Sequence, residues 1–138
     1  MTRYVLDACA LLALLQNETG NEKVISVFNE AADEGTATIT MNTINLLEVY
    51  YKVYKARGKE QAERMITELK KLPVTINQEI SDELFAQAGR FKVMYTVSLA
   101  DSIALAQASL LNAQLLTADH HEFDAVEKSE SVRFLWIR

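Results

Sequence analysis

The chain has 138 residues, the size of one domain, and a hydrophobic content of 49% gives that domain an ample core. Its one cysteine, Cys9, excludes an internal disulfide and the Cys-rich zinc patterns, and it fits a reducing cytoplasm. The net charge of −5 argues against nucleic-acid binding through a global positive field, so any such role must rest on metal ions and local lysines or arginines.

No apolar run is long enough to cross a membrane, and Asp7 comes too early for a signal peptide, so a cytoplasmic protein without membrane contact is expected. Arg3 to Leu6 predicts a first strand. Asp7 stands where it stops, and Ala8 to Gln16 switches at once to a helical pattern that Asn17-Glu18-Thr19-Gly20 breaks. A strand that ends in an acid and turns straight into a helix sets that acid at the carboxyl edge of a sheet, where open α/β folds keep their sites. Glu22 to Glu34 predicts a second helix, striped by Val24, Ile25, Val27, Phe28 and Ala31 and ended by Gly35. Ala37 to Met41 predicts a second strand.

Asn42 or Thr43 caps a third helix, Ile44 to Arg57, with Leu46, Leu47, Tyr50, Val53 and Tyr54 as its stripe. Gly58 separates it from a fourth helix over Lys59 to Leu72, and Pro73 opens a short strand, Val74 to Ile76. A fifth helix starts at Ser81-Asp82-Glu83 and runs to about Val93. Ser98 opens a sixth, SLADSIALAQASLL, which is apolar nearly all round and so expected to be buried; Asn112 ends it. Ala113 to Thr117 predicts a fourth strand, Asp119 starts a short helix, and Val132 to Ile137 closes the chain as a last strand. This alternation predicts a three-layer α/β fold with a mostly parallel central sheet flanked by helices, in a single domain over residues 1–138. No glycine-rich turn follows the first strand, which excludes a dinucleotide-binding domain.

Four carboxylates stand out. Asp7 and Asp119 both end predicted strands, so a parallel sheet sets them at one edge. Asp101 begins a helix that leads into the second of these strands, and a helix antiparallel to its following strand starts at that same edge. Glu48 lies in mid-helix among apolar neighbours and joins them if its helix packs nearby. Each acid also has a plainer reading. Asp7 suits an N-cap, SLAD and DHHE suit capping boxes for Asp101 and for Asp119 with Glu122, and Glu48 suits a surface pair with Lys52. Together, however, clustered acids repel unless a cation offsets them, and Mg²⁺ or Mn²⁺ prefers oxygen ligands. Thr117, two residues before Asp119, is placed to orient a carboxylate, and Ser98 is placed to do likewise beside its capping role. His120 and His121 are adjacent in a helical turn and cannot both face one point, so at least one is expected in solvent.

RYVLDACALLALL, NLLEVYYKV, VSLADSIALA and LLTADHHEFD, in this order, resemble the four acidic motifs of PIN-domain proteins. More narrowly, the chain resembles the VapC-type ribonuclease toxins of toxin–antitoxin pairs, over nearly its whole length. The resemblance implies a parallel sheet flanked by helices and Mg²⁺- or Mn²⁺-dependent endoribonuclease activity, with tRNA or rRNA as target. It implies that Asp7, Glu48, Asp101 and Asp119 are the catalytic metal-binding acids and that Thr117 is a supporting hydroxyl. It further implies a homodimer and a cognate antitoxin that lays an amphipathic segment over the toxin's grooves. Cys9 stands where the family often has serine or threonine, and a thiol is a weaker hydrogen-bond partner.

The apolar surplus of Leu11, Leu12, Leu14 and Leu15, with Tyr50, Tyr51 and Tyr54, suits an antitoxin groove or a dimer contact. Lys52, Lys55, Arg57 and Lys59 form a basic patch, from which Lys52 and Lys55 are the expected RNA contacts. Two alternatives keep the fold: a PIN nuclease of RNA processing or decay that is no toxin, and a catalytically silent PIN-like module that binds RNA or protein.

Overall fold

Five short strands form one sheet in the computed structural model, which describes residues 1–138, Glu34 by its backbone alone. The strands are β1 (Thr2–Leu6), β2 (Ala37–Asn42), β3 (Thr75–Asn77), β4 (Gln114–Thr117) and β5 (Arg133–Trp136). They lie in the order β3-β2-β1-β4-β5, and every neighbouring pair is parallel. The sheet is thus wholly parallel, one step beyond the mostly parallel sheet expected. A parallel sheet needs crossover helices on its faces, so its strands read as continuous apolar runs. Tyr4, Val5 and Leu6 are all buried in succession.

The crossovers are α1 (Ala8–Leu15), α2 (Asn21–Asn29), α3 (Thr43–Arg57), α4 (Lys59–Leu69), α5 (Asp82–Met94), α6 (Leu99–Leu111) and α7 (His120–Ser129). A π-helical turn, Glu30–Glu34, continues α2. One face of the sheet, carrying Tyr4, Leu6, Ile39, Met41 and Leu116, packs against α1 to α4. Val5 and Leu115, on the other face, pack against α5 to α7. This makes the three layers. As its composition predicts, α6 is buried along its whole middle, from Ser102 to Ala108.

Two sequence readings need correction. The fourth helix ends at Leu69, not Leu72, because Lys71 and Leu72 bond to Glu68 and Leu69, three residues back, and tighten the last turn. The buried stripe of α3 is Asn45, Val49 and Val53, spaced four apart, with Leu46 and Tyr50 partly buried against the core as expected, while Leu47 and Tyr54 are exposed. Large apolar side chains outside the packed face had shifted the apparent stripe, and a buried asparagine had hidden the true one.

Gly20 joins α1 to α2 with φ at +95°, and a Cβ there would collide with the backbone carbonyl of Ile137. Gly35 also has positive φ but open space around it. Gly20→Ala should therefore lower stability by about 2 kcal/mol or more, and Gly35→Ala by about 1 kcal/mol. Urea unfolding of both variants checks this, and equal losses at the two sites would contradict the packing argument.

Candidate active site

The chain leaves β1 toward β2 on one side, while β4 pairs on the other. The carboxyl ends of β1 and β4 therefore flank the point where the winding of the sheet reverses, the usual place for a site in an open α/β fold. Asp7 follows β1 directly. Leu6 is in register with Leu116, which sets Thr117 beside Asp7. The Thr117 Oγ1 accepts from the Asp119 N–H over 3.0 Å, and the hydroxyl also hydrogen-bonds the Asp7 carboxylate. One hydroxyl thus ties two of the expected acids together.

The capping readings hold, and the capping acids also line one cleft. Asp7 caps α1, its Oδ1 accepting from Ala10 N–H at 2.8 Å, and Asp119 caps α7, its Oδ1 accepting from Glu122 N–H at 3.2 Å. Each keeps its second oxygen. Asp101 lends only its backbone N–H to the Ser98 cap, over 3.1 Å, and the Ser98 hydroxyl also bonds the Asp101 carboxylate. Capping is therefore what aims these side chains, and it leaves oxygens to face a ligand.

The four acids line one cleft of about 280 Å³, together with Ser98, Cys9 and Lys52. Glu48 stands on its wall and pairs with Lys52 at 3.0 Å, the surface pair weighed from the sequence, so that pairing and a place in the cleft coexist. Two further acids line the cleft, Glu122 and Glu18. Asp101, Asp119 and Glu122 each offer an oxygen, and these atoms lie within 4.8 Å of one another. The sequence carried a signal for Glu122, since three residues from Asp119 on a helix is one face. It carried none for Glu18, which reaches the site from the break between α1 and α2.

Lys55 lies exposed further along α3. His120 is engaged outside the cleft. It stacks on Trp136 with centroids 3.8 Å apart and bonds Asp124 and the carbonyl of Arg138, each over 2.9 Å. His121 is exposed. Cys9 is half-buried, and its thiol pKa is pushed up by burial and by the charge of Asp7.

Asp7 is only 2% exposed. Burial pushes its pKa up to about 7, against the hydrogen bonds from Thr117 and Ala10 and with help from the charges of Asp101 and Asp119. Asp101 is also raised to about 7, by burial first and then by Asp119, with Glu122 and Glu48 adding and the Ser98 bond opposing. This donor set suits a hard divalent cation. The clustered groups are carboxylate oxygens, and they repel one another.

Without a cation, the buried charge of Asp7 opposes folding. Below about pH 4 the folded and unfolded chains both hold its proton. Between pH 4 and 7 only the folded chain does, so this group's contribution to stability falls as pH rises, and above pH 7 the full penalty stands. Asp7→Asn keeps an acceptor for Ala10 and removes the charge. In metal-free buffer at pH 8 it should be more stable than the wild type, on the order of 2 kcal/mol, with the gap narrowing toward pH 5. Thermal melts at both pH values check this; an unchanged or lower melting temperature at pH 8 would count against it.

A PIN domain family model matches residues 4–129. No curated protein matches the chain. Among solved structures, the chain is similar to VapBC-1 of nontypeable Haemophilus influenzae, at 19% identity, a TM-score of 0.72 and coverage of 99% of this chain and 98% of that one. It is similar to VapBC2 of Rickettsia felis bound to a promoter DNA fragment, at 16% identity, a TM-score of 0.72 and coverage of 97% and 98%. It is also similar to VapC20 of Mycobacterium tuberculosis, a toxin that cleaves the sarcin–ricin loop, at 15% identity, a TM-score of 0.63 and coverage of 89% and 94%. At these identities the solved structures speak for the fold alone, and the fold agrees with the family match and with the acids gathered at the end of β1. The chain belongs to the PIN domain family.

Proposed function

We propose that the chain is a divalent-metal-dependent endoribonuclease, the toxin of a VapBC-type toxin–antitoxin pair acting in the cytoplasm. The observation that carries this reading is the meeting of Asp101, Asp119 and Glu122 oxygens within 4.8 Å, in one cleft with the buried Asp7. Membership of the PIN family supports nuclease chemistry, and neighbours that are VapBC and FitAB complexes support an antitoxin partner.

In this reading Asp7, Asp101, Asp119 and Glu122, with Glu48 on the cleft wall, hold Mg²⁺ or Mn²⁺. When bound, the ion lowers the pKa of a water and offsets charge on the attacked phosphate. Thr117 and Ser98 fix the carboxylates of Asp7 and Asp101. Lys52, already in the cleft, gives up Glu48 to meet a substrate phosphate, and Lys55 meets the strand further out on the same helix. The target is a structured RNA of the tRNA or rRNA class, in keeping with the sarcin–ricin loop named for the Mycobacterium tuberculosis neighbour.

The partners have surfaces of their own. On α1 and α3, Leu15, Leu47, Tyr51 and Tyr54 are exposed, and this patch suits the apolar face of an antitoxin segment. It is narrower than the sequence suggested, because Leu11 belongs to the core. On α5, Phe85 and Val93 are 74% and 88% exposed, and Met94 at the end of the helix is exposed as well. Gly89 lies between Phe85 and Val93 in that row, with nothing within 4 Å of a Cβ built on it, so a second helix has room to approach. This stripe supports a homodimer.

Purified chain, freed of any partner, should cut labelled total RNA into discrete fragments with Mg²⁺ or Mn²⁺ and not with EDTA. Asp7→Asn and Asp101→Asn should each cut at least about 100-fold more slowly, since several kcal/mol of charge stabilisation are lost. Cleavage that survives EDTA, or is equal in all three proteins, would sink the reading. Val93→Glu should turn a dimer into a monomer in light scattering without lowering the melting temperature; a wild type that is already monomeric removes the homodimer from the proposal.

A further inference from the structure

A metal centre needs its ligands at fixed spacing, yet Glu48 rides on α3 and Asp101 on α6, far apart in the chain. Near the site one buried side chain joins the two helices. Asn45 is fully buried, and its Nδ2 donates to the carbonyl of Ala100 over 2.9 Å. Asn45 stands one helical turn before Glu48, and Ala100 is the residue before Asp101. A second amide tie to α6, from Nδ2 of Asn42 at the end of β2 to Gln107 Oε1 over 3.2 Å, lies nearly two turns further along α6 and holds its body rather than its first turn.

Packing alone does not account for the asparagine. Its Oδ1 is buried without a hydrogen-bond partner among the described residues. Turning the amide round offers no cure, because Oδ1 would then face the Ala100 oxygen. An apolar side chain would bury no such orphan, so what asparagine supplies here is the N–H that grips α6.

We infer that Asn45 is a positioning residue for the metal centre. By holding the first turn of α6 against α3, it sets the Asp101 carboxylate relative to Glu48 and to the Asp119–Glu122 pair across the cleft. The inference rests on the metal reading above. Groups that orient ligands in this way typically tune metal affinity by 10- to 100-fold.

The test is a Mn²⁺ titration of the full chain, followed by the electron paramagnetic resonance of free Mn²⁺, with melting curves alongside. Asn45→Ala and Asn45→Leu both remove the N–H, one by opening a cavity and the other by filling it. Either variant that folds serves the test. Both should bind Mn²⁺ about tenfold more weakly, whichever way their melting temperatures move. Val53→Ala opens a cavity in the same buried stripe without touching the tie, and it should keep wild-type affinity. Wild-type affinity in the Asn45 variants overturns the inference and leaves the metal reading standing. An equal loss in Val53→Ala overturns it as well, because any loosening of α3 would then suffice. A wild type that binds no Mn²⁺ overturns the metal reading and this inference with it.

Discussion

Asp7 is a carboxylate almost shut off from water, set at the middle of the sheet's carboxyl edge and faced by other acids. Left to itself, such a group would protonate or pull the strand end toward solvent. The fold counters both tendencies locally. The Ala10 amide and the Thr117 hydroxyl bond to the carboxylate. Three helices, α1, α6 and α7, also begin at this edge, at Ala8, Leu99 and His120. Each turns the positive end of its dipole toward the cluster, an interaction of a few tenths to about 1 kcal/mol per terminus. These contributions soften the repulsion but leave Asp7 and Asp101 well above the usual carboxylate range. What remains of the conflict is what a divalent ion can resolve.

Capping does two tasks here at once. An N-cap fixes the rotamer of its side chain against the helix start, so a carboxylate that caps is already aimed, and the entropy of ordering it is met by folding rather than by binding. In that arrangement capping takes one oxygen each of Asp7 and Asp119, and the serine cap of α6 takes the Asp101 backbone N–H. The wholly parallel sheet makes the convergence possible. In a parallel sheet every helix that follows a strand starts at the same edge, so the caps gather there.

Much of this was legible in the sequence because it is local. The acid at the end of an apolar run, the immediate switch to helix, the serine three residues before Asp101 and the apolar girth of α6 are short-range signals, and each has its counterpart in the structure. Long-range features were less accessible. Nothing in the sequence says that β1 lies between β2 and β4, yet that order brings Thr117 beside Asp7. Glu18 enters the cleft from a helix break, where no periodicity points anywhere. On α3, side-chain size misled: Leu47 and Tyr54 looked like core, whereas the small polar Asn45 is the residue that faces α6.

The pairing of β1 with β4 joins Tyr4 to Gln114, across most of the length of the chain. Contacts of such sequence separation close late and slowly, since the loop between them must first lose its freedom. Asp7 is synthesised long before Thr117, Asp119 and Glu122, so the full cluster does not exist until the chain has passed β4 and entered α7. A product that stops before β4 carries Asp7, Glu48 and Asp101 but lacks Thr117, Asp119 and Glu122. Whatever chemistry this cleft performs therefore waits on the making of β4 and the start of α7, a delay set by the pairing of an early strand with a late one.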